Sequence, residues 1–103
     1  MPIQIFFNKW SPENDPMFNE KARKVSMELM SKRDGLLKKH GIRELGSWTV
    51  AGEHLAVMVY EAPSSDAFSK FLMEPEFMPV NAFETIEVKL AISNEEVAKM
   101  LPK

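Results

Sequence analysis

The sequence contains no cysteine, which excludes disulfide frameworks, cysteine zinc sites, iron–sulfur clusters and thiol catalysis. It has no apolar run of about 18 residues, so no membrane span is expected. The opening Met-Pro-Ile-Gln-Ile lacks the basic segment and long apolar stretch of a signal peptide, and a cytoplasmic location is the expectation. A Gly-rich phosphate loop, His-Glu-x-x-His and Gly-x-Ser-x-Gly are all missing. Neither of the two histidines has a second ligand at a motif spacing, so no metal site is expected. The eight methionines are too scattered for a copper site and read as core filler. What is present is ordinary: 103 residues, 45% hydrophobic and 27% charged. A chain of this mass exposes roughly 6,000 Å² when compactly folded and buries roughly 65% of its unfolded surface, enough for one modest core. One domain over residues 1–103 is expected.

The net charge of −2 hides an asymmetry. Residues 20–43 carry eight basic and three acidic groups, whereas residues 44–103 carry four and ten. Clustered Lys and Arg can neutralise phosphates, but a charge run with helical periodicity reads first as a solvated helix face. An acidic chain of pI near 5.7 is a poor general nucleic-acid binder, and no nucleic-acid partner is expected.

Ile3, Ile5 and Phe7 alternate with Gln4, Phe6 and Asn8, which predicts a first strand ending near Trp10. Ser11-Pro12 and Asp15-Pro16 each offer a cap followed by proline, so a helix should begin at one of them. Phe18, Ala22, Val25, Leu29, Leu36 and His40 keep a 3.6-residue phase, interrupted only at Lys32/Arg33. Asp34-Gly35 argues for a kink and leaves open whether the helix is broken there. Gly41, after Lys38, Lys39 and His40, is a good stop. Residues 42–62 read as a hairpin about Gly52-Glu53, a two-residue type II′ turn. Ser64 and Ser65 cap a short helix carrying Ala67, Phe68, Phe71 and Leu72. Residues 83–92 alternate again, and Ser93-Asn94-Glu95-Glu96 is a capping box for a terminal helix with Val97, Met100 and Leu101.

The order βαββαβ plus a C-terminal helix is the split βαβ, ferredoxin-like order. It predicts an α+β domain with a four-stranded antiparallel sheet and the helices on one face. Ile3, Ile5, Phe7, Trp48, Val50, Leu55, Val57, Val59, Ile86, Val88 and Leu90 are assigned to the helix-covered face. Phe6, Asn8, Leu45, His54, Met58, Tyr60 and the polar row Thr85, Glu87, Lys89 are assigned to the open face. That mixed face would be an exposed patch on a monomer. It suits a sheet-to-sheet dimer enclosing a pocket, a structural interface without ligand, or stacking of RNA bases on Phe6 and Tyr60. The RNA reading is disfavoured by the absence of the Lys/Arg-Gly signature in residues 54–60.

For chemistry, His54 beside the hairpin turn is the histidine placed for proton transfer, whereas His40 reads as a helix-terminal residue. Asn8, His54 and Tyr60 would supply polar contacts to a ligand, Phe6 and Met58 its apolar wall, and Trp10 is a further candidate for the pocket lining.

The element order, with Tyr-Glu-Ala-Pro-Ser-Ser-Asp-Ala-Phe-Ser-Lys-Phe-Leu-Met-Glu-Pro-Glu-Phe at 60–77, resembles the dimeric α+β barrel superfamily. Gly41-Ile-Arg-Glu-Leu-Gly-Ser-Trp-Thr-Val-Ala-Gly52 and Ile92-Ser-Asn-Glu-Glu-Val97 are similar to short uncharacterised prokaryotic members. The resemblance implies a homodimeric barrel and is nearly silent on activity, since relatives include monooxygenases, haem-degrading enzymes, isomerases and ligand-sensing domains. Asn8 matches in position the first-strand asparagine of the haem-degrading members. Their tryptophan on the helix after the third strand and the histidine beyond it have no counterpart in residues 65–79. The expectation is therefore a cofactor-free homodimer binding a small apolar or aromatic molecule between sheet and dimer partner. A cofactor-free monooxygenase or isomerase-like enzyme is the alternative, and a ligand-free interaction domain a third.

Overall fold

The computed structural model describes residues 1–102. Its elements run β1 (Ile3–Trp10), a 3₁₀ turn (Pro12–Asn14), α1 (Glu20–Lys39), β2 (Arg43–Val50), β3 (Leu55–Glu61), α2 (Ser65–Leu72), two further 3₁₀ turns, β4 (Glu84–Ala91) and α3 (Asn94–Met100). The strands form one antiparallel sheet in the order β2-β3-β1-β4. This is the ferredoxin-like βαββαβ arrangement expected from the chain, with an added C-terminal helix.

Local chemistry explains the boundaries. Neither proline-flanked cap opens the long helix. Ser11-Pro12 starts the 3₁₀ turn, and Asp15 folds the chain through its own side chain, with Oδ1 accepting from the Met17 N–H at 2.8 Å. α1 starts at Glu20, where Asn19 caps the Ala22 N–H, and Phe18 is left outside it and exposed. The helix then runs unbroken through Asp34-Gly35. It ends as expected at Gly41, φ +67°, with Ile42 N–H to Leu37 O at 2.9 Å and Gly41 N–H to Lys38 O at 3.1 Å, the paired bonds of a Schellman stop.

The hairpin keeps the expected pairs Val50↔Leu55, Trp48↔Val57 and Ser47↔Met58. Its turn closes earlier, however. Val50 O accepts from Glu53 N–H at 3.2 Å, which puts Gly52 (φ +79°) at the third turn position, where type II geometry needs a positive φ. A bulge between Glu44 and Gly46 then gives Tyr60 the partner Glu44 in place of Leu45.

The faces of β1, β2 and β3 are exchanged relative to expectation. Phe6, Met58 and Tyr60 are buried under the helices, in one cluster with Phe68, Phe71, Phe77 and Leu37. Phe6 meets the Tyr60 ring edge-on at 5.0 Å, and Phe71 meets Phe77 at 4.9 Å. Ile5, Phe7, Trp48, Val57 and Val59 lie on the open side. β4 keeps its apolar row inward, since Phe6 pairs with Val88 and Asn8 with Ile86. Glu87 and Lys89 therefore join Phe7 and Ile5 on the open face, where Lys9 binds Glu87 at 2.8 Å. Both rows of β3 are largely apolar, and on β1 the alternation favours the row Ile3, Ile5, Phe7, which the structure leaves on the open side. The large aromatics win the inner side because they fill the space beneath Phe68 and Phe71.

Candidate ligand-binding cavity

Beneath α1 the helix-facing side of the sheet is not fully packed. A cavity of about 310 Å³ lies there. Its floor is Phe6, Asn8, Ala56, Met58, Tyr60 and Ile86, with Ser47 and Thr49 from β2. Its roof is the α1 face Arg23, Ser26, Met27, Met30 and Arg33, which recur about once per helical turn. Trp10, Pro16, Phe71, Phe77, Val80 and Glu84 complete the wall.

Five of the six site residues expected from the sequence, Phe6, Asn8, Trp10, Met58 and Tyr60, are thus brought together, but under the helices rather than on the open face. His54 is not among the lining residues. It occupies the hairpin loop at φ +50°, with Nδ1 2.7 Å from Asp15 Oδ2, and ties that loop to the chain between β1 and α1. Asp15 is buried, and its carboxyl is held below its ordinary value first by the Met17 N–H. The Trp10 indole, which lies near it without reaching hydrogen-bond geometry, and His54 act in the same direction. His40, at the end of α1, pairs with Glu74 at 2.7 Å, beside Lys39 at the same distance.

Arg23, Arg33 and Glu84 were missed, and two of the three had a signal. Arg33 sits where the apolar phase of α1 fails, and it is turned inward to Glu44 at 3.4 Å. Glu84 heads the inward row Ile86, Val88, Leu90 and therefore shares its face. Arg23 had none, because its guanidinium serves the Pro16 and Met17 carbonyls of a loop whose course only the fold defines.

The polar groups gather at two ends. Asn8 pairs with Ile86 and Gln4 with Tyr60, so the two groups are separated by four residues along β1, roughly 13 Å. At one end Asn8 Nδ2 donates to Glu84 Oε1 at 2.9 Å, and burial pushes the Glu84 carboxyl up, against the opposing pull of that hydrogen bond. At the other, burial pushes the Tyr60 hydroxyl up to about 12, so it stays protonated at neutral pH beside the Arg33–Glu44 pair. Among the described residues, Asn8 Oδ1, Trp10 Nε1 and Arg33 Nε are buried without a protein partner, all on residues lining the cavity. Such groups cost about 1–3 kcal/mol each. Among the described residues, no group of three or more metal-ligating side chains is assembled, and no helix is long and apolar enough to cross a membrane.

No protein-family model and no curated protein matches the chain. Solved structures do. An uncharacterized NIPSNAP domain protein from Burkholderia xenovorans is 12% identical, with 90% of this chain and 94% of that one covered at a TM-score of 0.62. SnoaB, a cofactor-independent oxygenase from Streptomyces nogalater, is 15% identical over 90% and 94% at 0.59. A dimeric ferredoxin-like protein from an uncultured marine organism is 20% identical over 90% and 94% at 0.50. At these identities the likeness is one of architecture, and it agrees with the order of elements and the sheet topology: the chain has a ferredoxin-like α+β fold.

Proposed function

We propose that the chain binds a small apolar or aromatic molecule in the cavity between the sheet and α1, as one half of a homodimer joined through the open sheet face. The carrying observation is the cavity itself, walled mainly by aromatic, aliphatic and methionine side chains, with a few polar groups collected at its two ends. Phe6 and Met58 form the floor against the ligand body, and Asn8, Trp10 and Tyr60 offer it polar contacts. His54 acts at a distance on this reading, holding the 11–19 segment, and with it Pro16 and Trp10, through Asp15. Native mass spectrometry of freshly purified protein tests it. Extra mass carried by the native protein and lost on denaturation is expected. Its absence, together with no saturable binding of small aromatic probes, favours an interaction domain without ligand.

A second reading, a cofactor-free monooxygenase or isomerase-like enzyme, is favoured by one observation. The Asn8–Glu84 pair places a carboxyl, pushed up by burial, in the wall of a mainly apolar space. The likeness to a cofactor-independent oxygenase fits that chemistry, which needs a pocket and a few polar groups.

A further inference from the structure

Glu84 borders two spaces at once. On one side is the cavity under α1. On the other is an open cleft at the β4 edge, lined by Leu72, Phe77, Asn81, Glu84, Thr85 and Ile86. Phe77, Glu84 and Ile86 belong to both walls, so the side chain stands in the partition. Its Oε1 is held by Asn8 Nδ2, which fixes the carboxyl against the cavity floor. The other charged groups bordering these spaces are both on α1 and both engaged: Arg23 on the Pro16 and Met17 carbonyls, Arg33 on Glu44. Neither is paired with Glu84. A carboxylate that meets an apolar ligand on one side and is open to water from the cleft on the other can ionise without a cationic partner. An ionised carboxylate accepts hydrogen bonds and donates none.

We propose that Glu84 is the specificity-determining group of the cavity, selecting apolar molecules that carry a hydroxyl able to donate to its carboxylate, a phenol or an enol. This rests on the cavity being a ligand site, and the two ideas fail differently. A hydroxyl donor on an ionised acceptor makes a strong hydrogen bond, whereas the corresponding methyl ether leaves the carboxylate desolvated and unpaired.

The test uses 2-naphthol and 2-methoxynaphthalene, which differ in the donor hydrogen, each titrated against the intact protein by calorimetry. At pH 8 the wild type is expected to bind the naphthol about tenfold more tightly. The preference should shrink as the pH falls below the raised Glu84 value, while affinity for the ether stays level or rises. Glu84→Gln should cut the preference to about threefold, because a neutral acceptor makes a weaker bond. Glu84→Leu should abolish it while still binding the ether, which shows an intact cavity. Equal affinities for the two probes in the wild type, or a full preference retained in Glu84→Leu, overturn the assignment and leave the cavity reading standing. Failure of the wild type to bind either probe overturns both.

Discussion

Two side chains of the cavity titrate in ways that can be read separately. Tyr60 is the single tyrosine of the chain, so phenolate absorbance near 295 nm reports on it alone. With its hydroxyl pushed up to about 12 by burial, no titration is expected at pH 10, where a free tyrosine is half ionised. A midpoint near 10 would show the ring to be solvated. Glu84 carries a stability signature of defined sign. Its folded-state value lies above the ordinary 4.5, so between the two values the folded chain holds more protons than the unfolded one. Stability then falls as pH rises through that window. Glu84→Gln removes the term, so the variant should gain on the wild type between pH 4 and pH 8 in denaturant melts. A constant difference would place the carboxyl in water. The functional residues split in legibility at this scale. Phe6, Asn8 and Trp10 on β1 and Met58 and Tyr60 on β3 were readable as alternating positions, and Glu84 as the head of the row Ile86, Val88, Leu90, whereas Arg23 acquires meaning only from the loop that folds against it.

Elements were legible where a local group closes them. Ser64 and Ser93 cap α2 and α3 through the Ala67 and Glu96 N–H groups, and the Gly41 stop is in place. Gly41→Ala puts a Cβ at φ +67° and against Pro63 at 3.4 Å. It should cost about 1–2 kcal/mol, measured by urea unfolding, with no change in the slope of the transition. The start of α1 was misplaced because two Ser/Asp-Pro pairs compete with Asn19, and the competition is settled by tertiary contacts. Arg23 donates to the Pro16 and Met17 carbonyls, and Asp15 is held by His54. The hairpin register was legible from its turn residues, but the bulge at Leu45 was not. A one-residue insertion leaves the pattern of residues 46–50 unchanged and alters only the pairing beyond it.

At the scale of the whole molecule the chain is extended, 55 × 31 × 18 Å, and exposes 7163 Å² where a compact chain of its mass exposes roughly 6,000 Å². Part of the surplus is the open sheet face, where Trp48 is 58% exposed and lies over Gly46. Part is the end of β4 and the segment beyond it, where Leu90, Ile92, Met100 and Leu101 are exposed and α3 has no buried residue. A standard interface takes about 800 Å² from each partner, and the surplus of roughly 1,200 Å² is large enough to supply it. Light scattering at micromolar concentration should therefore give twice the 11.8 kDa chain mass. Val59→Lys, on the open face, should return it to the monomer with the far-ultraviolet spectrum unchanged. A wild-type mass of one chain would remove the dimer.

The sequence by itself determined the order and type of the elements, most of their caps and the pairing near the hairpin turn. These depend on neighbours within a few residues, and the ferredoxin-like topology follows from their order. It also identified a coherent row of ligand-facing candidates. Only the tertiary structure decided which side of the sheet that row occupies, because β3 is apolar on both sides and the two rows of β1 each carry large apolar side chains. The choice rests on the volume of Phe6, Met58 and Tyr60 matching the space under α2, a property of packing rather than of pattern. That choice moved the candidate site from the open face to the cavity beneath α1. There it joins two arginines and a glutamate from distant parts of the chain, and it leaves the Ile5, Phe7, Trp48, Val57 and Val59 face free for a second copy.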